Sequence, residues 1–198
     1  MKSPENKKSE AAMKVETLVN GVAVDKLMET IELLNKQPEL GKFKFRTNNR
    51  WVDGTYSRAE NPAFYGAGAE DAGRQKPHVH DIDEPPILLG EDKGANPVEY
   101  LLTGLSGCVT TTFIAYASAQ GVKIDELRTE LEGDIDVRAF LGITHEVRPG
   151  YKQIRVKFHV KSDAPREKLE ELMMLAERRS PVSDSVRKGV PVQFSLAE

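Results

Sequence analysis

The run NPVEYLLTGLSGCVTTTFIAYASAQG, from Asn96 to Gly121, constrains this chain more than any other feature. Asn96 suits a helix N-cap, Pro97 the first helical position, and Glu99 the reciprocal partner of a capping box. Gly121 is the natural stop. One long, well-bounded helix is predicted there. Cys108 follows Leu101 by seven residues and Leu105 by three, so the reading places the cysteine on the buried stripe of that helix.

The flanking patterns supply the rest of an α+β chain. Residues 1–13 are rich in Lys, Glu, Ser and Asn, with almost nothing to bury, and read as a disordered tail. Residues 14–41 read as a helical extension, because Leu27, Met28, Ile31 and Leu34 recur at helical spacing, with Asp25 near the start and Pro38 beyond the end. Residues 42–58 read as a hairpin with its turn at Asn48-Asn49. The stretch from Asn61 to Asn96 is dense in Gly, Pro and Asp, with short strand-like pieces at Val79 to Ile82 and Ile87 to Leu89; its length makes it either functional or packed on a partner subunit. After the long helix come two alternating runs, Leu127 to Val137 and Ile154 to Val160, which pattern as an antiparallel pair. A helix carrying Leu169, Leu172, Met173 and Ala176 follows, then a short helix opened by Ser180-Pro181, and a last strand at Val190, Val192 and Phe194. Helices on one face of a sheet are expected.

Composition excludes several partners. Of the 198 residues, 39% are hydrophobic and 30% charged, and the net charge is -3, which leaves no basic excess for a phosphate backbone. The hydrophobic share is slightly thin, and an oligomer sharing part of its core would relieve that. With no run of 18 apolar residues and a polar start, neither a membrane span nor a secretory signal is expected. The expectation is a cytoplasmic protein, where a single cysteine stays reduced.

Cys108 is therefore the one thiol. Read blandly it is a small buried hydrophobe. Against that, Gly104, Ser106 and Gly107 crowd the turn before it and Thr110, Thr111 and Thr112 the turn after it, which allows close approach by a substrate or a second chain. The helix dipole acts only on the first turn, so a lowered thiol pKa needs a cation from elsewhere. Other candidates carry less. His78 and His80 in PHVH, beside Asp81 and Asp83, alternate on a strand and read as a polar face rather than a metal site. The acidic run DIDEPP reads as solvated loop, GAGAEDAG lacks the strand and helix of a phosphate loop, and Trp51, Phe64 and Tyr65 read as aromatic core. Ser180 reads as a helix cap.

The segments NPVEYLLTGLSGCVTTT and RRSPVSDSVRKGVPV resemble the two signature regions of OsmC/Ohr-type proteins, and the resemblance extends over residues 42–198 in element order. It implies an OsmC-like fold, a mixed or antiparallel sheet around a cysteine-bearing helix, in an intertwined homodimer with two shared sites. It also implies a cytoplasmic oxidative-stress enzyme that reduces organic hydroperoxides without metal, haem, flavin or other cofactor. In the family an early-strand Arg and a Glu at the start of the cysteine helix hold the thiolate, and a second cysteine resolves the sulfenic acid. Cys108 matches the reacting cysteine, Arg58 the cation, with Arg50 in reserve. Ser180 stands at the resolving position. The Glu position holds Val98, and Glu99 follows one residue later, a turn of about 100° around the helix. Regeneration of Cys108 by an external thiol is implied, with a non-catalytic small-molecule-binding protein as the alternative and a hydrolase acting through Cys108 or Ser180 as a third reading.

Overall fold

The structure, a computed structural model, describes residues 17–197; the tail expected over residues 1–13 lies outside them. Two short strands, β1 (Leu18–Val19) and β2 (Val22–Ala23), flank Asn20-Gly21. Both turn residues have positive φ, 51° and 76°, the geometry that makes Asn-Gly a tight hairpin pair. Helix α1 (Val24–Lys36) follows. An antiparallel sheet in the order β3-β4-β7 comes next, built from β3 (Asn48–Asp53), β4 (Tyr56–Asn61) and β7 (His78–Ile82). Between its last two strands sits a small hairpin, β5 (Tyr65–Gly66) and β6 (Ala69–Glu70). Then come α2 (Pro97–Ala119), β8 (Glu126–Asp134), α3 (Val137–Phe140), β9 (Gln153–Lys161), α4 (Arg166–Arg179) and α5 (Pro181–Lys188). The class is α+β, as the element pattern predicts.

The core forms where α2 lies on the β8-β9 pair and on α4. Leu105, Val109, Phe113 and Ala117, spaced four apart, are all buried, and Leu172 and Ala176 of α4 meet them. Phe113 packs on Phe158 of β9, ring centroids 5.6 Å apart. Fully burying a side chain of this size contributes about 1.5–3 kcal/mol, so this row organises the chain. The alternation of β8 sends Leu127 and Leu131 to the core, while its other face pairs charges with β9: Glu126 with Lys161 and Glu132 with Arg155. At 23 residues α2 is long and apolar enough to cross a membrane, yet one side of it is spent on this core. Its opposite side, with Gly104, Gly107 and Thr111, is exposed.

Four expectations fail for local reasons. The β3-β4 turn is at Asp53-Gly54-Thr55, not at Asn48-Asn49, because Gly54 takes φ 51° and its N–H is accepted by Asp53 Oδ1 at 2.9 Å. Asn48 and Asn49 are ladder residues instead. Residues 86–88 form a 3-10 turn rather than a strand; Pro85 and Pro86 have no N–H to give a ladder. The β8 run stops at Asp134, and Asp136 caps α3 by accepting from Arg138 N at 3.2 Å. The last strand does not form, leaving Val190, Val192 and Phe194 exposed. No strand among the described residues pairs with that segment.

The N-terminal extension is fastened by one side chain. Asn20 Nδ2 donates to Ser118 Oγ at 3.1 Å and to Val122 O at 2.9 Å, and Asn20 Oδ1 accepts from Ile124 N at 2.8 Å. These bonds tie the β1-β2 turn to the end of α2. Asn20→Ala leaves partly buried groups unpaired, and each such group costs about 1–3 kcal/mol. Urea denaturation should show a loss of ~2 kcal/mol, and Asn20→Gly, which suits the positive φ but lacks the amide, should recover only part of it. Equal stability of Asn20→Gly and the parent would mean that the turn conformation, not the three bonds, is what the residue supplies.

Candidate functional site

Cys108 sits in the fourth turn of α2, on the flank of the buried row rather than within it. Leu105 and Val109 are buried, whereas the cysteine is only half-buried. A helical step of 100° explains the difference: the row runs 105, 109, 113, 117, and position 108 lies to one side. This corrects the expectation of a buried cysteine. The backbone carbonyl of Cys108 accepts from Thr112 Oγ1 at 2.8 Å. A Cβ added at Gly104 or at Gly107 would meet nothing within 4 Å, so the surface beside the thiol is open in the protomer.

Arg58 is on β4, in the three-stranded sheet. Its Nε donates to Asp81 Oδ1 at 2.7 Å, Tyr56 Oη donates to the same oxygen at 2.6 Å, and Arg58 Nη2 donates to Tyr56 Oη at 2.9 Å. The Arg58 and Tyr56 bonds hold the Asp81 carboxyl below the usual carboxylate range, and the bond to Asp81 raises the Tyr56 phenol. Arg50, the reserve, is directly opposite Arg58 in the β3-β4 register.

Glu99 is at the start of α2, where it closes the capping box: Asn96 N donates to Glu99 Oε2 at 2.9 Å, and Asn96 Oδ1 accepts from Val98 N at 2.9 Å. Beside this cap lies a cleft of about 670 Å³, with Pro85, Leu88, Val98, Ile135, Val137 and Phe140 on its apolar walls and Glu84 and Glu99 on its polar one. Glu84 accepts from the Asn96 amide, and burial, reinforced by the charges of Asp83 and Glu99, raises its pKa. Tyr151 Oη donates to Val98 O at 3.0 Å, and its ring lies so close to Gly133 that a Cβ there would be 2.5 Å from it.

Behind the cleft, Asp83 organises the loop that was expected to be solvated. It is 2% exposed. Its carboxylate accepts from Thr55 Oγ1 at 2.7 Å and from the backbone N–H groups of Glu84, Glu91 and Lys93. The Thr55 bond, with those N–H groups, outweighs burial and brings its pKa down to about 2. The sequence signal for this knot was in the glycines: a Cβ at Gly90 would lie 1.8 Å from Glu84 O, and one at Gly94 1.9 Å from Asp81 O.

Ser180 is fully buried at the junction of α4 and α5, and its Oγ accepts from Ser183 N at 3.2 Å. A sealed oxygen engaged in capping gives a hydrolase no nucleophile. His80 is within 2.7 Å of Asn61 Oδ1 and lies edge-on to Tyr100. Among the described residues no three His, Cys, Asp or Glu side chains group as a metal ion requires. Nor, among those residues, does any hydrogen bond or ion pair join Cys108 to Arg58, Glu99 or Ser180. Asp81, Asp83 and Glu84 were missed as interacting residues because their partners are distant in sequence.

Residues 90–195 match the family model described as OsmC-like protein. No curated protein matches the chain. Among solved structures it is similar to an OsmC-like protein from Mycoplasma pneumoniae, at 17% identity and TM-score 0.56, over 73% of this chain and 87% of that one. It is also similar to an organic hydroperoxide resistance protein OsmC from Legionella pneumophila, at 20% identity and TM-score 0.49, over 73% of this chain and 90% of that one. At 17% identity the likeness to the Mycoplasma protein is one of fold.

The Asp83 knot makes the cleft sensitive to acid. Its folded pKa, about 2, lies below the ordinary carboxylate value of about 3.9. The stability its charge confers is therefore complete above about pH 4 and disappears as the pH falls through about 2. Asp83→Asn should lower the urea midpoint at pH 7 and flatten the decline between pH 4 and pH 2. An unchanged slope would assign the acid sensitivity to other carboxylates.

Proposed function

The chain belongs to the OsmC-like family, and on that premise we propose that it is a thiol-dependent peroxidase acting on organic hydroperoxides through Cys108. The observation that carries this reading is the half-buried Cys108 on an open, glycine-flanked side of α2. A thiol of use to a substrate must be reachable, and half-burial beside two exposed glycines supports that for Cys108. Its thiolate attacks the distal oxygen of the hydroperoxide; the S–O bond forms, the O–O bond breaks, and the alkoxide leaves as the alcohol after taking a proton. Cys108 becomes a sulfenic acid. With Ser180 sealed and no second cysteine in the chain, an external thiol attacks the sulfenic sulfur, releasing water and leaving a mixed disulfide. A second thiol then frees Cys108. A reducing compartment such as the cytoplasm suits this cycle.

The reading also assigns the cation. Arg58 of one protomer serves the Cys108 thiolate of the other, since within a protomer Arg58 is on β4, bonded to Asp81, and Cys108 is on α2. Two observations support such a shared site. The alternating segment Val190, Val192, Phe194, Leu196 is 59%, 67%, 93% and 101% exposed, and the β8-β9 pair, two-stranded among the described residues, leaves the outer edge of each strand unpaired. A second chain that adds a strand there covers both. The alternative, a non-catalytic ligand-binding protein, is favoured by the cleft beside the α2 cap, whose volume suits a small ligand.

Stopped-flow oxidation with an organic hydroperoxide should consume the Cys108 thiol faster than a free thiol of the same pKa reacts, and Cys108→Ser should abolish it. One equivalent should leave a sulfenic acid trappable by a dimedone-type reagent, and excess should drive it to sulfinic acid by mass spectrometry. A rate no better than that of a free thiol supports the ligand-binding alternative.

Assembly is tested separately. Sedimentation should give twice the chain mass, and removal of residues 190–198 should shift the protein towards the monomer. A monomeric full-length chain at micromolar concentration would end the shared-site model.

A further inference from the structure

Arg50, Arg58 and Asp81 form one row across β3, β4 and β7, since Arg50 is the register partner of Arg58 and Arg58 that of Asp81. Direct cross-strand partners share a face. Two arginines directly opposite each other repel, and nothing in the packing requires them: Arg50 and Arg58 are both exposed. What gives one of them a defined geometry is the third strand. Asp81 takes Arg58 Nε at 2.7 Å, and Tyr56, two residues before Arg58 and therefore on the same face, closes the ring by bonding Asp81 at 2.6 Å and receiving Arg58 Nη2 at 2.9 Å. Lys93 stands over the Tyr56 ring, 5.2 Å from its centroid, and Glu91 pairs with Lys93. The groups facing Arg58 are thus Arg50 from β3, Tyr56 on its own strand, Asp81 from β7 and Lys93 from the loop.

We propose that Asp81 is the positioning residue for Arg58, holding the guanidinium with its Nη1 side directed off the sheet towards an anion, while Glu99 is committed to its own helix cap. The role rests on the reading that Arg58 serves a Cys108 thiolate. With Nε and Nη2 fixed by charge-assisted bonds, the guanidinium plane is set and one edge stays free for a single acceptor. An arginine on a free stem would spread over many rotamers and present that edge only part of the time. Asp81 has two opposed effects on a thiolate: it orients the cation and it offsets part of its charge. The sign of the change on its removal separates them.

The experiment compares the parent, Asp81→Ala, Arg58→Ala, the double variant and Asp81→Glu in the full-length chain, with two readouts. One is the pH profile of Cys108 alkylation by iodoacetamide, which reports the thiol pKa without any peroxide; the other is the second-order rate with an organic hydroperoxide. Positioning predicts that Asp81→Ala raises the Cys108 pKa and slows the peroxide step about tenfold or more, the scale that misplacing one group produces. Asp81→Glu should recover part of both, and Asp81→Ala should add nothing once Arg58 is already Ala. Tyr56→Phe, a milder change, should move both readouts in the same direction by less, and it stands in if Asp81→Ala does not fold. A fall in the Cys108 pKa in Asp81→Ala would overturn the proposal, because Asp81 then only damps the charge of Arg58. So would an effect of equal size in the Arg58→Ala background, the mark of a merely structural residue. If the alkylation profile follows the expected pattern while no variant, the parent included, reacts with hydroperoxide faster than a free thiol, positioning stands and the peroxidase reading falls. If the peroxide step needs Cys108 and Arg58 but ignores Asp81, the peroxidase reading stands and this assignment falls.

Discussion

The contact between one side of α2 and the β8-β9 pair is the core on which α4 and α5 also pack. Leu105, Val109, Phe113 and Ala117 fill the space above Phe158, and Leu172 and Ala176 close it from α4. Everything that bears on chemistry is placed relative to this row. The cap at Asn96 and the cleft beside it lie at one end of α2, the Asn20 clasp lies at the other, and Cys108 lies on its flank. A helix can face a core in only one direction. Once the 105–117 row is committed, the side carrying Gly104 and Gly107 is left uncovered in the protomer.

That asymmetry decides how the thiol can be used. Within the row it would be inert packing; at its edge the half-buried residue keeps its backbone inside a rigid helix beside the open surface at Gly104 and Gly107. Rigid support with an accessible tip is what a nucleophile needs. On the proposed reading the group that tunes it is Arg58, which is fixed by Asp81 and Tyr56 in the β3-β4-β7 sheet. The two halves of the site then meet between chains, which also accounts for a C-terminal segment with strand alternation that pairs with no strand among the described residues.

Acidic residues around residue 83 illustrate how one loop can carry three different jobs. Asp81 faces a guanidinium, Asp83 is buried as an acceptor for four donors, and Glu84 borders the cleft with its proton held more tightly than usual. Neighbours in sequence, they differ because Asp81 lies within β7 whereas Asp83 and Glu84 follow its end and lead into the turn at Pro85-Pro86. Composition alone sees only a polar run.

By itself the sequence determined the elements whose signals are local: the capped α2, the β8-β9 alternation, α4, the Ser180-Pro181 start of α5, and the motif pair that resembles the family. Caps, helical spacing and alternation act within a few residues, so they are legible in one dimension. It misjudged the β3-β4 turn, the 3-10 turn at Pro86–Leu88 and the last strand, where the outcome depended on a Gly54 conformation, on prolines without N–H groups, or on a pairing partner elsewhere. Only the tertiary structure decided that Cys108 flanks the buried row instead of joining it, that Ser180 is sealed, that Asp83 is a core acceptor, and that Arg58 is held by Asp81. Each of these depends on which distant residue comes within about 3 Å in space, and distance along a chain does not encode that.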